Sequence, residues 1–402
     1  MYDLSLSEDQ LAIRDMVRDF VASDVFPFAT KPDRLEPFDT PLAIDLVDAA
    51  SELGLRTLAL SEEAGGAGAD TLTCCIVAEE LAAGDVDIAS VLANTAALGG
   101  VLFNQLMNDG QRARFISDFL EDPRYHLALA DREADMETSL GVDYYRETGN
   151  QVEVATTARK NDAGAWVVDG AKIRVVNAPV AKLFAVLVST DNGNGILLVP
   201  ADAAGVSVSE IDRHGGWYVG SCGDVTFKDC VVPAENMLGP EAVDALTGPG
   251  SDFGLPQNQA INLGVGRAAF EAAMEYAGVR IQGGRRIVEH QAIGAKLAEV
   301  LVNLETARNA IWQAAWATDN PGAEPKDNFP PLPRAKIAQV VAAERIYRAT
   351  KDSAECFGAM GVMRDMPLQK YIHVSRVFLH TGDGNADIKL RIAEAMAGFD
   401  RP

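Results

Sequence analysis

Arg280-Ile281-Gln282-Gly283-Gly284-Arg285-Arg286-Ile287-Val288-Glu289-His290-Gln291-Ala292-Ile293 is the stretch on which the rest of the chain turns. It leads into a long amphipathic helix, whose apolar residues Leu297, Leu301, Leu304, Ile311 and Ala315 recur on one expected buried face. The chain as a whole is acidic, with a net charge of −23. An anionic ligand therefore needs a local basic cluster, and Arg280, Arg285 and Arg286 supply one. A guanidinium offers forked donors that suit phosphate oxygens. The plainer alternative is that Arg280 ends a helix while its neighbours face water.

Working outward, 402 residues suffice for two or three domains. The balance of 48% apolar and 23% charged residues is that of a soluble globular chain. The excess of acid argues against a nucleic-acid or anionic-membrane partner, both of which want clustered Lys and Arg. Cys74, Cys75, Cys222, Cys230 and Cys356 are odd in number and fit neither a zinc site nor a disulfide framework, so reduced thiols in a cytoplasmic protein are expected. The longest apolar runs, Phe184 to Val188 and Gly195 to Val199, are of strand length, and no basic-then-apolar leader is evident. His126, His214, His290, His373 and His380 lack metal-ligand spacing, which leaves no metal site to propose.

The chain divides by period. Residues 1–125 read as helical. Ser7-Glu8-Asp9-Gln10 is a capping box ahead of Ile13, Met16, Val17 and Phe20, and further helices are expected over Leu42–Leu53 and Thr71–Ala83. The Gly-rich stretch Glu62 to Ala69 carries carboxylates rather than Lys, so a helix connection is preferred to a phosphate cradle. Residues 126–240 read as β. Strands are expected at 151–155, 165–168, 173–176, 184–188, 195–199, 206–209 and 224–227, with Asp162-Ala163-Gly164, Asp169-Gly170 and Asp191-Asn192-Gly193 as turns. Residues 241–402 return to the helical period, interrupted by the Pro-rich connection from Asn320 to Pro333. The expected fold is α+β: a helical domain, a central β-barrel or sandwich, and a C-terminal four-helix bundle.

In that order the motifs resemble those of the acyl-CoA dehydrogenase family nearly end to end. Glu52-Leu53-Gly54-Leu55 with Ala64-Gly65-Gly66-Ala67-Gly68 is similar to its "LGL…YGGxG", and Glu79-Glu80-Leu81 to its "EEL". Trp166-Val167-Val168-Asp169-Gly170-Ala171-Lys172 resembles "WxLNGxK", and Val231 to Gly239 resembles "VPxENxLG". Arg280 to Gly284 resembles "RxQFG", Gly358-Ala359-Met360-Gly361 resembles "GGxG", and Asp383-Gly384-Asn385-Ala386-Asp387-Ile388 resembles "EGTxxI".

The resemblance implies an FAD-dependent oxidoreductase that dehydrogenates an acyl-CoA thioester between its α and β carbons. A carboxylate takes the α proton and the flavin accepts the β hydride. FAD is expected between the β domain and the C-terminal helices, its ADP half completed by a neighbouring subunit. Arg280 with Gln282 would meet the pyrophosphate, Gln291 would lie close by, and the turn from Gly358 to Gly361 would let a backbone approach the adenosine. Asn177 is expected near the flavin, with Asn385 standing where the family has the Thr of "EGT". Asp383 matches the catalytic Glu of that motif, one methylene shorter; as turn chemistry, Thr381 to Asn385 also stands by itself. The family's other position for that Glu falls near Gly254, which carries no carboxylate. The implied partners are an acyl-CoA, an electron acceptor such as an electron-transfer flavoprotein, and further subunits, in a tetramer of like or homologous chains.

Several positions depart from the pattern. The segment matching "TEPxxGSD" reads Leu129 to Asp135 without the Thr, the Pro or the Gly-Ser. The "WI(T/S)N" strand reads Arg174-Val175-Val176-Asn177, which makes Arg174 a candidate cationic partner for the ring or a substrate carboxylate. Gly283 replaces Phe, and of the Asp–Arg pair near the substrate only Asp252 remains, with Leu255 at the Arg position. The changes gather around ring and substrate. They leave three alternatives open: a retuned dehydrogenase, a partner subunit sharing a site with a complete homologue, or a same-fold flavoenzyme with different redox chemistry.

Overall fold

The computed structural model describes residues 5–35, 41–134, 153–211, 219–248, 251–321, 334–363, 365–380 and 384–397. Helix α1 (Glu8–Phe20) begins on the expected capping box: Ser7 Oγ accepts from the Gln10 amide at 3.1 Å, and Gln10 Oε1 accepts from the Ser7 amide at 3.0 Å. Helices α2 (Ile44–Glu52) and α3 (Thr71–Gly84) follow within a residue or two of the expected spans. Helix α4 (Val86–Val101) starts on Asp85, whose Oδ1 accepts from the Asp87 and Ile88 amides. The apolar run Val86–Leu106 is long enough to cross a membrane, but 78% of it is buried inside the fold, so its apolarity fills the core. Helix α5 (Asp109–Glu121) closes the region, and its Gln111 Nε2 donates to the Glu235 and Met237 carbonyls of the segment that leaves the sheet.

The "EEL" carboxylates join the helical region to the C-terminal one. Helices α6 (Glu241–Thr247), α7 (Leu255–Val279) and α8 (Gln291–Asp319) come later in the chain. Buried Glu79 receives Arg267 of α7 at 3.1 Å and Arg308 of α8 at 2.7 Å, and buried Glu80 receives Arg267 at 2.6 Å and Arg18 at 2.9 Å. The Arg267 and Arg18 guanidinia hold the Glu80 carboxyl below its usual range against the opposing effect of burial. Gly264 permits the approach, because a Cβ there would lie 2.3 Å from the Glu79 carbonyl oxygen.

Strands β1 (His126–Ala130), β2 (Thr157–Lys160), β3 (Trp166–Val176), β4 (Ala181–Thr190), β5 (Gly193–Pro200), β6 (Val206–Glu210) and β7 (Cys222–Val232) form one mixed sheet. Its order is β1-β4-β2-β3-β7-β6, with β5 also on β4 and β1 parallel to β4. Two expectations change here. Residues 153–155 precede the first hairpin rather than forming a strand. Asp169-Gly170 does not break β3; it is an irregularity inside one strand, where Gly170 (φ 147°) leaves no room for a Cβ beside Thr156 and Asp169 Oδ1 accepts from the Asp229 amide at 2.8 Å. The same Asp-Gly chemistry serves a bulge as readily as a turn.

Helices α9 (Arg334–Glu355), α10 (Leu368–Val377) and α11 (Gly384–Ala397) complete the C-terminal bundle. On α8, Leu297, Leu304, Ile311 and Ala315 are buried as expected, whereas Leu301 is 43% exposed. The buried stripe runs through Val300, Ala307 and Ala314 instead, leaving Leu301 on its flank. All five cysteines are free and buried.

Candidate cofactor and substrate site

Helix α7 ends at Arg280, whose amide donates to the Tyr276 carbonyl at 2.9 Å. Two short strands, β8 (Ile281–Gln282) and β9 (Arg285–Arg286), then form a hairpin across Gly283 (φ 63°) and Gly284 (φ 83°). Two consecutive left-handed residues are what a two-residue hairpin turn of matching twist requires. The hairpin is tied back by the Ile287 amide on the Arg280 carbonyl at 2.9 Å and by His290 Nε2, 2.9 Å from the Gln282 carbonyl. Arg286 pairs with Glu289 at 2.7 Å. Arg280, Gln282, Arg285 and Gln291, the first residue of α8, remain exposed.

The turn after α9 reaches the same end of the bundle, where Phe357 stacks on Tyr276 with ring centroids 4.3 Å apart. Its two glycines differ. Gly358 (φ 58°) has open space where a Cβ would be, so another backbone or ligand can approach. At Gly361 a Cβ would lie 2.3 Å from the Ala354 carbonyl, so its small size is needed for packing within the chain.

The ring-side candidates are arranged differently. Asn177 (φ 69°) is fully buried, and its Nδ2 reaches the Val91 carbonyl at 3.0 Å, the Leu127 carbonyl at 3.2 Å and Thr95 Oγ1 at 3.2 Å. It joins α4, β1 and the turn after β3 and presents no surface to a ligand. Thr95 also meets the buried His126 Nδ1 at 3.2 Å. Burial, helped by the Arg56 charge, pushes the His126 imidazole down to about 4. Arg174 is exposed on a bulge of β3 (φ 49°), its amide donating to Asp224 Oδ1 at 2.9 Å.

Beside it lies a pair that sequence reasoning left unassigned. Lys172 Nζ sits 2.6 Å from Glu133 Oε1 with both side chains buried, and the Ala155 and Thr156 amides donate to the same carboxylate at 2.7 and 2.9 Å. Burial pulls the Lys172 ammonium down despite Glu133, while Lys172 and the amides hold Glu133 below its ordinary range. Burial also raises the Asp131 carboxyl. Lys172 closes the "WxLNGxK" motif, which was the available signal, but its partner lies 39 residues away.

On the substrate side, Asp252 precedes α7 and accepts the Leu255 amide on its carbonyl at 3.1 Å. Asn385 is buried on the first turn of α11, and its Nδ2 lies 3.4 Å from the Val340 carbonyl, so it packs inward rather than toward a cofactor. Asp383 lies outside the described residues.

Comparison with known proteins places these features in a family. Residues 7–122, 146–230 and 256–397 match, in order, the N-terminal, middle and C-terminal domain models of acyl-CoA dehydrogenases. The benzylmalonyl-CoA dehydrogenase of Aromatoleum aromaticum is 29% identical over 98% of this chain and 100% of its own. The short-chain-specific acyl-CoA dehydrogenase of Megasphaera elsdenii is 26% identical over 97% and 98%. The solved butyryl-CoA dehydrogenase of the same organism superposes with a TM-score of 0.79 at 25% identity, over 97% of this chain and 98% of that one.

Proposed function

Because this chain belongs to the acyl-CoA dehydrogenase family of oxidoreductases, we propose that it carries out flavin-dependent α,β-dehydrogenation of an acyl-CoA thioester. The observation that carries this reading is the exposed hairpin, where Arg280 stands with Gln282 and Gln291 at one end of the bundle. In an acidic molecule, this cluster of donors is suited to a dinucleotide diphosphate. The donor set fits the ADP half of FAD, and Gly358 leaves room for its approach. FAD, when bound, supplies the hydride acceptor.

The chain's own task is proton removal. An α C–H next to a thioester is a weak acid, so its base must be a carboxylate held away from water, with donors on the thioester oxygen. Asp383 is the proposed base, with Asp252 on the substrate side. The exposed Arg174 can face a ring or a substrate carboxylate. The exposure of the hairpin donors supports a site shared between subunits. A tetramer and an electron-transfer flavoprotein as acceptor complete the proposal.

A second reading has its own support. Asn177 is sealed inside the fold and Arg174 replaces the ring-facing Trp, while the hairpin keeps Arg280 and Gln282. A subunit that lends its hairpin to a homologue's flavin would have this pattern. Absorbance separates the two. A yellow protein bleached by an acyl-CoA, and no longer bleached after Asp383→Asn, is expected from the first. A chain that is colourless alone and yellow only when co-expressed with a homologue overturns it in favour of the second.

A further inference from the structure

Arg280, Arg285 and Arg286 are one basic cluster in the sequence, but the hairpin divides them. Its register pairs Ile281 with Arg286 and Gln282 with Arg285. Side chains alternate between the two faces of a strand, so Gln282 and Arg285 share one face and Ile281 and Arg286 share the other. Arg280, two residues before Gln282, belongs to the face of Gln282, and the Ile287 amide on its carbonyl continues the ladder there. Arg280 and Arg285 are therefore diagonal neighbours, with backbones about 7–8 Å apart.

The two faces also differ in charge. Arg286 is neutralised by Glu289 at 2.7 Å. Arg280 and Arg285 are both exposed, and among the described residues no carboxylate lies at ion-pair distance from either. Like charges so placed repel one another, and they stand unpaired in a chain whose net charge is −23. Two open guanidinia with an amide between them suit an anion of two charges. Each guanidinium offers forked donors to one phosphate, and Gln282 adds an uncharged donor. Ile287, at the base of this face, belongs to the buried cluster that holds Phe357, and the next residue, Gly358, is the glycine with open space beside it.

We propose that Arg285 is a second diphosphate-binding residue, taking one phosphate of the dinucleotide while Arg280 takes the other, and that Arg286 has no part in binding. The proposal rests on the flavin reading above. The test is the dissociation constant for FAD, read by flavin fluorescence on the full-length protein for Arg285→Gln, Arg285→Lys, Arg286→Gln and Arg280→Ala. Arg285→Gln is expected to weaken FAD binding about tenfold or more, because charge-assisted hydrogen bonds are lost. Arg285→Lys should lose less, and Arg286→Gln should stay within about twofold. Freed of flavin, Arg285→Gln should melt no lower than the unmodified protein, since it loses a repulsion and no partner. A lower melt would make Arg285 structural and overturn the assignment. Unchanged FAD binding in Arg285→Gln, with Arg280→Ala weakened, overturns the second contact and leaves the flavin reading standing. Equal losses from Arg285→Gln and Arg286→Gln overturn the division into faces. An unmodified protein that binds no FAD, alone or with a homologue, overturns the flavin reading as well.

Discussion

Two regions with the same assignment from sequence turn out opposite in character. The hairpin at Arg280 leaves its guanidinium, Gln282 and Gln291 in solvent. The seam between α4, β1 and β3 spends Asn177, Thr95 and His126 on one another, and beside it Lys172 is spent on Glu133. Motif matching treats Arg280 and Asn177 alike as cofactor contacts. Their energetics differ: donors left open cost little until a ligand arrives, whereas donors used internally hold domains together. Substitutions in the seam should therefore act on stability, and those in the hairpin on cofactor.

The largest effect is expected at the buried ion pair. Lys172→Ala leaves Glu133 charged and buried, and should cost about 3–5 kcal/mol in denaturant unfolding. Loss of flavin without loss of stability would reverse the comparison. Acid comes next. His126 ordinarily titrates near 6.5 and is held to about 4 in the fold. Between those values the unfolded chain takes a proton that the folded chain refuses. Its contribution is therefore complete above pH 6.5, falls as pH drops toward 4 and levels off below, a loss of about 3 kcal/mol at most. Thermal melts across that range should show the slope, and His126→Gln should flatten it.

Asn177→Ala is expected to cost about 2 kcal/mol, from lost hydrogen bonds and from a left-handed backbone that Ala adopts poorly. Asn177→Gly relieves the second cost alone, so the difference between the two variants measures the strain. The smallest effect on folding belongs to Arg280→Ala, within about 0.5 kcal/mol. This variant should nonetheless lower flavin retention on gel filtration about tenfold or more, with Arg280→Lys only partly restoring it because the forked geometry is lost. A clear fall in melting temperature for Arg280→Ala with both proteins free of flavin would show that the hairpin is structural after all.

What could be seen in the sequence follows the range of each interaction. The capping box at Ser7, the helix spans and the Asp191-Asn192-Gly193 hairpin between β4 and β5 depend on neighbours within a few residues, and they are where the pattern puts them. Asn177 looked like a flavin contact because its motif is local, but its partners Val91 and Leu127 lie 86 and 50 residues away. Leu301 missed the core for a related reason, since apolar spacing marks a face only roughly and packing against α7 and α9 chooses the stripe.

The carboxylates Glu79 and Glu80 carry a consequence for how the chain can be divided. Each sits in the interior of α3, neutralised by cations from elements far apart in sequence. A fragment ending before Arg267 would retain two anions in an apolar interior with only Arg18 as counter-ion. Separately expressed halves should therefore be insoluble alone and recover only when mixed, melting together in a single transition.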